Sequence, residues 1–294
     1  MSHYLDIQEF VKTRVAENPA SNLYFLLDHG GLPGLHRQLS KTSTIWVSLF
    51  DGTSESSSLA VAPILVLAAT DGAVQLPFSL SQWISENGTY SSSVMMLSSP
   101  LEITQLSERL KARLNVRLSG DMEAMLRFFD PRVFQSLIGI LDAEQWNVFL
   151  SVAQKWWYVD RSGFIKSLNS GFNDARCRDK SLVLSAAQEF SLVDACEADQ
   201  VLNALRENVS DTLQKLNISL QYDFVVSNIE EAKRFGLQSL DDLILYNVTV
   251  LLMGKSLLTE VKWSDLKHAG KLDPSKFSEL VVSLENDVVS GGAK

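Results

Sequence analysis

Asp28, His29 and His36 are the side chains of this sequence best suited to chemistry. A carboxylate beside imidazoles can pass a proton, and imidazoles can also hold a metal. His29 and His36 lie seven residues apart across Gly30-Gly31-Leu32-Pro33-Gly34, which matches no known metal-ligand spacing. A turn or helix-surface role for both rings is the commoner outcome, so a small-molecule enzyme using these three residues stands as the alternative reading. Cys177 and Cys196 have no histidine near them in sequence, which leaves a thiol nucleophile unsupported. Two cysteines build neither a disulfide scaffold nor a metal site by themselves, and suit a reducing compartment. No Gly-x-Ser-x-Gly elbow occurs. Gly254-Lys255-Ser256 invites a phosphate-loop reading, but the required glycine five positions earlier is Thr249 and a helical pattern precedes it. Gly254 reads better as a helix C-cap, with Lys255 favourable at the negative helix end. The sequence thus predicts no catalytic set, no cofactor and no metal.

Two features are candidates for binding a partner. Arg109, Arg113 and Arg117 fall at i, i+4 spacing and would line one face of a helix, able to meet an acidic partner or simply to be solvated. Trp156, Trp157 and Tyr158 are consecutive. Neighbours on a strand alternate, so one sheet face cannot bury all three rings. One tryptophan is therefore expected either exposed, as a hot spot, or packed in a contact between lobes.

The elements that would position these residues follow from composition and pattern. The 294 residues carry a net charge of −9, with 46% hydrophobic and 21% charged side chains. That is ordinary for a soluble globular protein and speaks against nucleic acid, whose binders need a basic stripe. Asp6, Glu9, Lys12 and Arg14 interrupt any export-type apolar run. Leu59–Ala69 and Leu243–Met253 fall short of the ~20 residues that span a bilayer. A cytoplasmic protein with no membrane partner is the expectation.

Asp6 with Glu9 caps a first helix. Strands are predicted at Leu23–Leu27, Ile45–Phe50, Ile64–Leu67, Ser93–Leu97, Ala124–Phe129 and Trp156–Val159. Between them, Ser79 with Gln82, Ser99-Pro100-Leu101-Glu102 and Asp142 with Gln145 open helices. The Ser99 helix is expected to run past Leu114. After about Asp160 only helical patterns recur, opened by Ser185 with Gln188, Ser227 with Glu230, Ser239 with Asp242, and Asp273-Pro274. The fold class is therefore α+β or α/β: an N-terminal lobe, 1–160, with a mixed sheet flanked by helices, then an all-α lobe, 161–294.

The stretch Leu126-Arg127-Phe128-Phe129-Asp130-Pro131-Arg132-Val133-Phe134 reads as a buried strand stopping against a capped helix. Asp130 can accept the free N–H groups of the first turn, and Pro131 fits the first helical position. Arg132 is too near the positive helix end to help the dipole, so it serves a neighbouring carboxylate or a partner.

Together with Leu23–Asp28, Trp83, Ser99-Pro100 and the Gln145–Trp157 segment, this block resembles the effector adaptor (chaperone) family of bacterial type VI secretion. That family's hallmark is an aromatic-Arg-Phe-aromatic-Asp-Pro-Arg-Val-Leu block, matched here at Arg127, Phe128, Asp130, Pro131 and Arg132, with Leu126 and Phe134 as departures. The resemblance covers roughly the first half of the chain. It implies a non-enzymatic adaptor that binds a toxic effector in the cytoplasm and promotes its loading onto the VgrG spike or a PAAR-type tip. A general structural or regulatory interaction protein is a further alternative.

Overall fold

A computed structural model of the chain describes residues 5–173, 175 and 182–255. They form two compact units, Met1–Asp194 and Ala195–Lys294. The first opens with α1 (Ile7–Glu17), where the Asp6 carboxylate accepts the Glu9 N–H at 2.9 Å. β1 (Asn22–Asp28) is buried along almost its whole length. It is followed by α2 (Leu35–Leu39), β2 (Trp46–Ser48), β3 (Pro63–Thr70), β4 (Ala73–Val74), α3 (Phe78–Gly88) and β5 (Val94–Ser99). Then come α4 (Ile103–Lys111), β6 (Asn115–Arg117), β7 (Glu123–Met125), α5 (Pro131–Ile140), α6 (Ala143–Leu150), β8 (Lys155–Val159), β9 (Ile165–Asn169) and β10 (Leu182–Val183).

The larger sheet runs β2-β3-β1-β5-β8-β9 with β4 added to β3, and its pairings are antiparallel. Parallel and antiparallel pairing mix in a smaller sheet, β10-β6-β7. Helices cover both faces of the larger sheet. Phe10 of α1 meets Trp157 edge-on at 5.4 Å, while Phe134 of α5 lies 5.5 Å from the Trp156 ring. Successive strand residues point to opposite faces, so α1 and α5 lie on opposite sides. This two-sided cover explains why β1, β3 and β5 are continuous apolar runs despite antiparallel pairing.

The second unit is helical. After α7 (Ala186–Ala195), at the end of the first unit, it comprises α8 (Glu197–Asn208), α9 (Ser210–Leu213), α10 (Gln221–Arg234) and α11 (Leu240–Met253). Val201, Leu205, Val225, Ile229, Leu243 and Tyr246 are among the side chains of its own core. The capping pairs Ser185–Gln188 and Ser239–Asp242 form as the sequence predicts, and the helical run breaks at Cys196. Gly254 closes α11 at φ +78 and Lys255 pairs with Glu231 at 2.6 Å, as a C-cap and not a phosphate loop.

Several elements differ from expectation, each because a tertiary partner outweighs a local signal. Ser99 caps no helix: it ends β5, and its hydroxyl donates to the Val152 carbonyl at 2.7 Å. α4 ends at Lys111, because Leu114–Arg117 turns away to pair with β7. The strand expected over Ala124–Phe129 stops at Met125, after which Phe128 N–H to Leu126 O and Asp130 N–H to Arg127 O fold the backbone into turns. Ser227 lies inside α10, which starts at Gln221. The units divide C-terminal of the expected 160/161 boundary, since β9 completes the larger sheet and β10 the smaller. Cys177 and the helix expected after Asp273-Pro274 lie outside the described residues.

Candidate functional site

The Arg127–Phe134 block is built by three apolar anchors and two ion pairs. Phe128, Phe129 and Phe134 are fully buried. Phe128 meets Phe149 of α6 edge-on at 5.4 Å, and Phe134 packs on Trp146, Trp156 and Tyr158. Held from below by these rings, the backbone presents Arg127, Asp130 and Arg132 at the start of α5.

Asp130 is buried and is the N-cap of α5. Its Oδ1 accepts the Arg132 N–H at 2.9 Å, and its Oδ2 accepts from Arg132 Nη2 at 2.6 Å, with Arg132 Nε bridging both oxygens. Pro131 occupies the first helical turn, where its missing donor costs nothing. Arg132 thus serves the neighbouring carboxylate, one of the two roles its position allowed.

Arg127 reaches back to the end of β1. Its Nη2 donates to Asp28 Oδ2 at 2.8 Å, and its guanidinium sits 5.3 Å from the Phe129 ring centroid. Asp28 Oδ1 accepts the Gly30 N–H at 3.0 Å, which shapes the turn His29–Gly31. Burial pushes the Asp28 carboxyl above its ordinary value and the nearby Asp130 charge adds to this, while Arg127 and the Gly30 N–H pull the other way. The result is two buried carboxylates, each with its own arginine, at the junction of β1 and α5. Such an arrangement fixes backbone geometry and shows a half-exposed guanidinium at the surface.

The alternative catalytic trio is arranged otherwise. Asp28 is occupied by Gly30 and Arg127. His29 Nδ1 lies 2.9 Å from the Leu59 carbonyl, and the His29 and His36 rings stack at 6.5 Å, with Trp46 edge-on to His36. No hydrogen bond joins the Asp28 carboxylate to either imidazole. Among the described residues no group of three or more His, Cys, Asp or Glu side chains could hold a metal.

The two predicted partner-binding surfaces are not built as expected. Arg109 lies on α4, but Arg113 follows the helix end and Arg117 belongs to β6, so they form no helical row. Arg113 is buried and donates to the carbonyls of Phe149, Val148 and Arg109 at 2.7, 3.0 and 2.6 Å. It is a pin between α4 and α6. Trp156, Trp157 and Tyr158 are only 0%, 5% and 6% exposed. The rings do alternate between the two faces of β8, but both faces are covered within the first unit, so all three are buried there.

Sequence reasoning missed Arg14 and Lys155. Both cations approach the Trp157 ring, at 5.9 and 5.4 Å from its centroid, beside a cavity of about 320 Å³. The signal was present but faint: Arg14 falls in the last turn of α1, and Lys155 immediately precedes the tryptophan pair.

Among the described residues, no helix is long and apolar enough to cross a membrane. No curated protein and no solved structure matches the chain. Residues 23–148, which run from β1 through the Arg127–Phe134 block into α6, match the family model described as "Domain of unknown function (DUF4123)".

Proposed function

We propose that the protein is a cytoplasmic type VI secretion adaptor, which binds a cognate toxic effector and promotes its loading onto the VgrG spike or a PAAR-type tip. One observation carries this reading. The family match spans both Leu23–Asp28 and Leu126–Phe134, the two stretches that resemble the adaptor family. Those stretches meet in one ion-pair network through Asp28 and Arg127. The carboxylates and arginines of that network are spent on each other, which suits a frame for gripping a protein better than a proton relay.

Grip between folded proteins of this kind buries on the order of 1,200–2,000 Å². Co-expression with the toxin encoded beside its gene tests the reading. A complex that stays intact through size-exclusion chromatography, and fails to form with an unrelated toxin, is the expected result. Separate elution of the two proteins at micromolar concentration would overturn it.

A further inference from the structure

We infer that the cavity beside Trp157 is a socket for a carboxylate carried on a short apolar stem. It lies where the end of α1 and the 18–23 segment meet the ends of β5 and β8, and its volume is about 320 Å³, at the small end of ligand sites. Val15, Leu23 and Trp157 give it an apolar lining. Its hydroxyl and amide groups are committed to one another: Ser98 Oγ donates to Ser21 Oγ at 2.8 Å, which donates to Gln154 Oε1 at 2.9 Å.

The cations are not committed in that way. Lys155 Nζ sits over the Trp157 ring and makes no ion pair among the described residues. Arg14 gives Nη1 to Glu17 Oε2 at 2.8 Å, but its buried Nε has no acceptor. A carboxylate is the planar acceptor that best fits a guanidinium fork, and an ammonium donates to it as well. Arg14, Lys155 and Glu17 are the charged side chains of the lining, leaving it one positive charge in excess. That excess suits a monoanionic carboxylate better than a dianionic phosphate. The chain as a whole carries −9, so the surrounding field repels anions and any binding must come from these local cations.

The chemistry is shared by a glutamate side chain of a partner protein and by a free small carboxylate. This inference stands without the adaptor reading. The test uses the full ¹⁵N-labelled chain, following the Trp157 indole N–H resonance, assigned with Trp157→Phe. Three probes are titrated at constant ionic strength: butyrate, an end-blocked Ala-Ala-Glu-Ala-Ala peptide, and inorganic phosphate.

A saturable shift with at least one carboxylate probe is expected, weakened at least about tenfold in Lys155→Gln and in Arg14→Gln and unchanged in the surface control Lys111→Gln. Lys155 holds no carboxylate in the fold, so Lys155→Gln should melt with the parent and keep the test valid even if Arg14→Gln does not fold. Tighter binding of the peptide assigns the socket to a protein side chain, and tighter binding of butyrate to a small molecule. No saturable shift with either carboxylate, phosphate binding as tightly, or parental affinity in Lys155→Gln would each overturn the inference.

Discussion

Arg127 Nη2 and Asp28 Oδ2 are 2.8 Å apart although 99 residues separate them in the chain. The contact is asymmetric: the Asp28 side chain is 4% exposed and that of Arg127 47%. Removing the arginine therefore leaves a buried carboxylate with only the Gly30 N–H. Arg127→Ala is expected to cost about 1–3 kcal/mol, read as a lower urea midpoint with an unchanged slope. Arg127→Lys should recover only part of this, because an ammonium lacks the planar face that lies over Phe129.

The raised Asp28 carboxyl gives a pH prediction with a definite sign. Burial is its largest cause, so in that window the folded state holds more protons than the unfolded one. Its favourable contribution is fully present below the unfolded carboxylate range and is lost as pH rises through the higher folded value. The stability of the parent relative to Asp28→Asn should therefore fall as pH rises across this window, measured by urea melts from acid to neutral pH. Arg127→Gln removes a lowering influence and should move the window upward.

Asp130→Ala removes the N-cap of α5 and the carboxylate that Arg132 pairs with. The lost cap alone is expected to cost about 0.5–2 kcal/mol. Soluble yield should drop, while partner capture per folded molecule is retained. An unchanged melting temperature with abolished capture would instead make Asp130 an interface residue.

The buried rings of β8 and α5 should behave as core. Trp156→Ala and Phe134→Ala are expected to destabilise by about 3–5 kcal/mol each. Because the two rings touch at 5.5 Å, the double variant should lose less than the sum of the singles. Calorimetry on the three variants gives the comparison.

Arg113 and Arg117 look alike in sequence and should differ sharply. Arg113→Ala removes the donor of the Phe149 carbonyl, while the Val148 carbonyl keeps Ser151, at about 1–3 kcal/mol. Arg117 is exposed on β6, so Arg117→Ala should stay within about 0.5 kcal/mol of the parent.

What the sequence reveals here is mostly local. Asp6–Glu9, Asp142–Gln145, Ser185–Gln188 and Ser239–Asp242 each form the expected cap, donor and acceptor lying three residues apart, whereas Ser79 with Gln82 does not, because α3 starts at Phe78 behind Pro77. Division into an N-terminal sheet unit and a helical remainder was also legible, from the change of hydrophobic period. Contacts across long stretches of chain were not. Nothing near Asp28 names Arg127, and nothing at Trp157 tells that Phe10 covers it. The arginine spacing at 109, 113 and 117 is helical, yet α4 stops at Lys111 because β7 recruits the following residues. Phe128 and Phe129 read as strand in the sequence because buried aromatics suit a strand and a packed turn equally.

Delivery by living cells tests the central claim most directly. In a competition assay against a susceptible neighbour, deletion of this gene should abolish killing by the cognate toxin and lower its cellular level, while sheath contraction and the delivery of other toxins continue. The same deletion with every toxin delivered at the parental rate would contradict the account.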